Sequence, residues 1–327
     1  MTNLKRLSLL STLVAVCALG TPALALECKA GQRPFSHAEG ETCIPKDPQR
    51  IIGLHDQTVT LALVELGAPV VGSMGRVQKK DNSLYMRSVD MLFGLDFENS
   101  NIEYVGTWDA MDFEKMTALK PDLIIGRPYD AEAQEKYAAI APTIYIDNDP
   151  KDPMAFARQI ADAANKIDVY EGELELYKAN IERAKFALPA ANGAVYAKVQ
   201  GWEGKLNIYA GYGGLTKVLA DLGFKRTAFA QELSDKGVAW GEEVSAELLP
   251  QQQADYIFDT YSIAYGDSFA TPGERMEEVL PTWCSVLTAC AEGKYIILPR
   301  ELSTGFSFKQ LNMLIHLVTT NVARAGS

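Results

Sequence analysis

Residues 48–73, PQRIIGLHDQTVTLALVELGAPVVGS, decide the fold. Ile51 to Leu54 is a short apolar run of the kind a doubly buried strand needs, because a parallel strand covered by helices has no wet face to alternate toward. Thr58 to Leu66 then reads as a helix, Gly67 ends it, and Pro69 to Gly72 is extended again. Strand, helix and strand in so short a span make a βαβ unit, and such units imply a parallel sheet.

The same alternation continues on the C-terminal side. Met111, Phe113, Met116 and Leu119 recur at roughly helical spacing, Lys120-Pro121 stops that helix, and Leu123 to Ile125 is the next apolar run. EKYAAIAPTIYID adds another helix and a strand at Thr143 to Ile146. From Asp152 to Leu188 strand signals all but vanish; with a break near Lys166 to Asp168, the rest reads as one long helix stopped by Pro189. Its apolar positions do not hold the heptad over the three or four repeats that a coiled coil requires. Strands then return at Ala194 to Gln200, Asp255 to Thr260 and Tyr295 to Pro299, among helices at Gly213 to Leu222, Arg275 to Leu287 and Ser307 to Val322. The expectation is an α/β protein of two Rossmann-like lobes, 48–166 and 190–327, joined by a single long α-helix over 167–189 and preceded by an N-terminal arm, 26–47.

Residues 1–25 read as a secretory signal peptide: Lys5 and Arg6, the apolar run Leu7 to Leu19, and Ala23-Leu24-Ala25 as the cleavage site. The run is shorter than the roughly 20 residues of a spanning helix. Neither Cys17 nor Cys28 is preceded by the pattern of a lipid-modified cysteine, so the expected location is the periplasm, in soluble form. Cleavage removes two cations and moves the formal charge from −11 to −13. So acidic a chain is a poor partner for nucleic acid, which needs clustered Lys and Arg. Cys28, Cys43, Cys284 and Cys290 remain, an even number in an oxidising compartment. Of the three possible connectivities, the sequence-local pairing Cys28–Cys43 with Cys284–Cys290 is the simplest, and a loop of about 15 residues closed this way is worth roughly 3 kcal/mol in the chain-entropy view.

In open α/β sheets ligands bind beyond the carboxyl ends of the parallel strands. That rule selects His55, Arg127, Tyr129, Trp202, Tyr261, Tyr265 and Arg300. The set is aromatic and basic in an acidic chain, and it suits a bulky, flat or aromatic anion, because guanidinium both pairs with carboxylate or catecholate oxygens and stacks on rings. Enzyme readings find no G-x-S-x-G, H-E-x-x-H, P-loop or Rossmann fingerprint. GYGGLTK lacks the phosphate-loop spacing, and the adjacent Glu242 and Glu243 read as a solvated pair. With His37, His55 and His316 as the mature chain's histidines and the thiols in disulfides, neither a dedicated metal site nor a cofactor is expected.

Five runs, PQRIIGL with ALVELGAPVVGS, VGTWDAMDFEKMTALKPDLIIG, YAAIAPTIYID, GGLTKVLADLGFKR and EEVSAELLPQQQADYIFDTYS, resemble the class III periplasmic substrate-binding proteins of ABC importers for ferric siderophores, haem and vitamin B12. The likeness covers roughly Pro48 to the C-terminus. It implies a monomeric, non-enzymatic carrier that takes its cargo to an inner-membrane ABC permease, with Glu114 and Glu247 as the glutamates that engage permease arginines. Trp108 falls where the B12 binder has a pocket aromatic, and Trp240 precedes the second glutamate comparably. Hydroxamate binders of the family often carry an arginine near the position of Trp108 or Asp109; it is missing here, which leaves Arg127 and Arg300 to supply the cationic contacts. Haem binders tend to use an axial tyrosine, for which Tyr261 or Tyr265 is available. The expected cargo is therefore a ferric siderophore, anionic, ahead of haem and then cobalamin, with iron entering only inside its chelator.

Overall fold

The structure, a computed structural model, describes residues 26–78, 81–147, 152 and 154–326. The expected signal peptide, with Cys17, lies outside the described residues. The first lobe is built on a five-stranded, wholly parallel sheet in the order Thr143–Tyr145, Leu123–Gly126, Ile51–Gly53, Val70–Ser73, Glu103–Tyr104. Its strands Ile51–Gly53 and Leu123–Gly126 carry Ile51, Ile52, Leu123, Ile124 and Ile125 with no exposed surface, as helical cover on both faces demands.

The second lobe has a six-stranded mixed sheet. Strands Val195–Trp202, Tyr256–Tyr261 and Tyr295–Pro299 run parallel, Lys225–Arg226 pairs with the start of the first, and Lys205–Tyr209 and Gly241–Val244 extend the sheet antiparallel. The expected helix over Arg275 to Leu287 is instead Thr271–Val279 followed by the short turn Trp283–Val286. Leu280 leaves the helix at φ −154, ψ 109, because the residue before Pro281 is driven out of the helical region.

Between the lobes runs the helix Ile167–Ala187, preceded by Ala155–Ala163 with a break at Lys166. It buries Tyr170, Tyr177, Ile181 and Ala184, one face at three- and four-residue steps, and packs on the last helix, Phe308–Ala325. One apolar core runs from Ile51 and Leu63 through these spine residues to Leu215, Leu311 and Leu314 in the second lobe. Three polar bonds cross as well. Glu65 of the first lobe accepts the N–H groups of Phe308 (2.8 Å) and Lys309 (2.7 Å), and Gln57 donates to Thr304 (3.3 Å).

Ahead of the first lobe, the hairpin Gln32–His37 with Gly40–Pro45 buries Phe35 and Ile44 and bonds Ala38 N–H to the Tyr145 carbonyl. Disulfides join Cys28 to Cys43 and Cys284 to Cys290. Among the described residues no helix is long and apolar enough to cross a membrane.

Candidate functional site

In the first sheet the strand order reverses between Ile51–Gly53 and Leu123–Gly126, and in the second between Val195–Trp202 and Tyr256–Tyr261. Such switch points open a crevice at the strands' carboxyl ends. His55 and Arg127 leave the first pair of strands, while Trp202, Thr260 and Ser262 stand at the ends of the second.

His55 is fixed on both ring nitrogens. Nδ1 pairs with the Thr58 hydroxyl at 2.8 Å, and Nε2 faces Arg87 Nη2 at 3.4 Å. Burial, reinforced by the nearby arginines and opposed by Asp56, lowers its pKa to about 4, so the imidazole is neutral at physiological pH. Arg87 is itself occupied: its Nη2 and Nε bond the fully buried Asp56 carboxylate at 2.6 and 3.0 Å.

Arg127 is the cation presented to the crevice. Its side chain is 11% exposed, with the guanidinium 4.9 Å from the Phe156 ring and 5.8 Å from Tyr129. Its ion-pair neighbour is the exposed Asp147 at 3.7 Å, a long contact, and its buried Nε has no hydrogen-bond partner among the described residues. Asp130 accepts the Arg127 backbone N–H at 2.7 Å, and burial lifts its pKa to about 6. Burial likewise pushes Tyr129 up to about 12, so its phenol stays protonated.

Across the crevice Arg300 opens the helix Arg300–Ser303 and stands 5.9 Å from the Tyr265 ring; no carboxylate lies within ion-pair distance among the described residues. Arg275 forks onto Asp267 at 2.7 and 2.9 Å beneath Trp202. Behind the lining residue Tyr212 lies a buried polar knot. Lys198 Nζ lies 3.0 Å from Asp259 and 4.5 Å from the Tyr212 ring, and Tyr295 donates to the other Asp259 oxygen at 2.7 Å. A buried lysine of this kind is tolerated when paired and hydrogen-bonded, and here it backs Tyr212 of the cavity wall.

Two cavities of ≈ 300 and ≈ 270 Å³ open here and share Trp240 and Arg300. The first is lined by His55, Arg127 and Tyr129, the second by Trp202 and Tyr265. Two candidates line neither. Tyr261 follows Thr260 and precedes Ser262, both of which face the cavity, so strand alternation turns its ring away, 6.2 Å from Phe269. Trp108, 67% exposed, sits at the tip of the hairpin Gly106–Thr107 with Ala110–Met111. That hairpin needs glycine at 106, where φ is +115 and a Cβ would strike the Ala110 carbonyl. The glycines of GYGGLTK have a packing role: a Cβ on Gly213 or Gly214 would meet the backbone of Thr304 or Gly305 in the cavity wall.

A sequence profile of the periplasmic binding protein family matches residues 60–302. The chain belongs to that family. Among curated relatives of this periplasmic binding protein are the iron(3+)-hydroxamate-binding protein FhuD of Bacillus subtilis, 28% identical over 68% of this chain and 67% of that one, and the petrobactin-binding protein YclQ of the same organism, 25% identical over 76% of each. Among solved structures, Staphylococcus aureus SirA complexed with staphyloferrin B superposes at a TM-score of 0.72, covering 89% of this chain and 98% of SirA at 22% identity, which establishes the two-lobed fold. On this periplasmic binding protein Glu114 and Glu247 are both exposed, each in the first turn of a short helix, Phe113–Ala118 and Ala246–Gln251. Sequence reasoning passed over Arg87 and Arg275; neither follows a recognisable parallel strand, so the strand-end rule had no purchase on them.

Proposed function

We propose that the protein is a soluble, monomeric periplasmic carrier that captures a ferric siderophore between its lobes and delivers it to an inner-membrane ABC permease. The observation that carries this reading is the pair Arg127 and Arg300, which approach one crevice from opposite lobes and rest on aromatic rings; among the described residues Arg300 has no carboxylate within ion-pair distance and Arg127 has a long contact to Asp147. A guanidinium with weak ion pairing in a half-buried crevice is stabilised when an anion completes its hydrogen bonds. Relatives named for hydroxamate, petrobactin and anguibactin support iron-chelate cargo over haem or cobalamin. The iron travels inside its chelator, with all its ligands from the cargo, and no covalent chemistry is involved. Glu114 and Glu247, one exposed on each lobe, are the permease contacts in this reading.

The test is titration of the mature protein with ferric hydroxamate, catecholate and citrate-type siderophores, haemin and cyanocobalamin, following tryptophan fluorescence. Tight quenching by a ferric siderophore and none by its iron-free form is the expected result. A response to haemin or cobalamin alone overturns the cargo assignment.

A further inference from the structure

The ≈ 300 Å³ cavity continues past the arginines. Its mouth holds Tyr129 and Trp240, both about half exposed, whereas Leu61, Leu66, Phe156, Tyr170 and Phe308 behind them are buried. The polar groups of this inner wall are already engaged. Glu65 is taken up by the N–H groups of Phe308 and Lys309, the Tyr170 hydroxyl by the Met154 carbonyl at 3.3 Å, Ser307 by the Gln310 N–H at 3.2 Å, and Gln57 by Thr304. Each of these groups thus has a partner within the protein, so a polar occupant gains little there, while an apolar one displaces water from the apolar part of the wall. A methylene is about the size of a water, whose share of liquid volume is about 30 Å³, so the whole cavity, mouth included, holds roughly ten methylene-sized groups, and the part behind the mouth takes a chain of correspondingly fewer.

We infer that this inner cavity receives a hydrocarbon chain carried by the cargo, whose anionic iron-binding head is held at the mouth by Arg127 and Arg300. The occupant is fixed by continuity: Trp240 and Arg300 line both cavities, so a head in the outer space lies directly over the entrance to the inner one. Two apolar linings, Ala62 and Ala157, are small enough to leave the room that a chain uses, and neither touches the charged mouth groups in any hydrogen bond or ion pair. The inference rests on the siderophore reading, and its test separates the two.

The probes are ferric complexes of one citrate-type chelator bearing acyl chains of two, six and ten carbons, titrated into the mature protein by tryptophan fluorescence and calorimetry. Affinity is expected to climb with chain length, by up to about fourfold per methylene buried, with an increasingly negative heat-capacity change. Ala157→Leu and Ala62→Leu, each checked for an unchanged thermal transition, are expected to erase that gain and leave the two-carbon complex bound as before. An affinity independent of chain length, or a gain that survives both substitutions, overturns the inner pocket while the head site stands. Failure of every ferric complex in the siderophore panel to bind overturns the siderophore reading instead.

Discussion

Replacing Arg127 and Arg300 together by glutamine tests the centre of the functional argument. Arg127 is pre-ordered: its guanidinium is held between Phe156 and Tyr129, 4.9 and 5.8 Å from their rings, so little rotamer freedom is left to lose on binding. Each arginine that hydrogen-bonds an anionic ligand contributes about 1.5–3 kcal/mol. The pair therefore accounts for roughly 3–6 kcal/mol, or about 10² to 10⁴ in Kd. The residues belong to different lobes and share no hydrogen bond or ion pair with each other, so the single variants should lose about 10- to 150-fold each and combine near-additively. Arg127→Lys keeps the charge but loses the planar fork and the ring stacking, and should recover less than half of the lost free energy. Quenching of Trp240, which is 46% exposed and lines both cavities, reports the titration, and far-ultraviolet circular dichroism checks the fold. A folded double variant within threefold of the parent affinity would refute the reasoning outright.

Asp130 makes the site pH-sensitive. Its folded-state pKa is raised by burial from 3.8 to about 6, so acidification from pH 7.5 to 5.5 neutralises a carboxylate beside Arg127, and affinity for an anionic ferric complex should rise; in Asp130→Asn the protein's share of that slope should vanish. The linkage has a matching sign: Asp130 contributes stability in full below 3.8 and loses it as pH climbs through 6, so Asp130→Asn should be the more stable protein at pH 7 in urea titrations. Glu65→Ala strips the acceptor from the N–H groups of Phe308 and Lys309, and part of that loss is offset because burial already raises the Glu65 pKa; about 2 kcal/mol of destabilisation is expected by denaturant titration, and no change would remove it as a tie between lobes. Glu114→Ala and Glu247→Ala should leave siderophore Kd unchanged and depress uptake in permease-containing vesicles; a defect in binding contradicts the docking role. Replacing Cys28 and Cys43 by serine should cost up to about 3 kcal/mol, in line with the 15-residue separation they close, and should act first on protease resistance of the hairpin arm.

The architecture was legible where the physics is local and strong. Runs such as Leu123 to Ile125 must be strands because nothing else buries three consecutive branched apolar residues so economically, and Pro189 must end the spine. The strands Glu103–Tyr104, Lys205–Tyr209 and Gly241–Val244 were not legible: the first and last lie at sheet edges, Lys205–Tyr209 sits between Gly241–Val244 and Val195–Trp202, and the half-polar sequences of all three lack the doubly buried signature. Lys198 misleads any hydropathy reading, since a lysine in the middle of a strand signals a wet face until Asp259 and the Tyr209 and Tyr212 rings are seen around it. For the site, the strand-end rule found Arg127 and Arg300 but could not say which way Tyr261 faces. That depends on register by a single residue, and Thr260 and Ser262 take the cavity side.

The back of the molecule bears on how it binds. The lobes share one apolar core through the spine helix, and Glu65 adds a charge-assisted tie at the start of the last helix. Opening the lobes widely would expose that core and orphan two helix-terminal N–H groups, a cost of several kcal/mol by the usual terms for apolar area and unsatisfied donors. A hinge of flexible strands carries no such cost. The crevice is therefore largely built before the cargo arrives, and binding free energy is not consumed in bringing the lobes together. In a preformed crevice, discrimination has to come from charge and shape already in place. Three features here serve that end: a neutral His55 locked by Thr58 and Arg87, cations set on aromatic rings, and an acidic exterior. The cations favour anions inside the crevice, the locked neutral His55 keeps the shape of its wall, and the net negative charge weakens attachment of anions elsewhere on the surface.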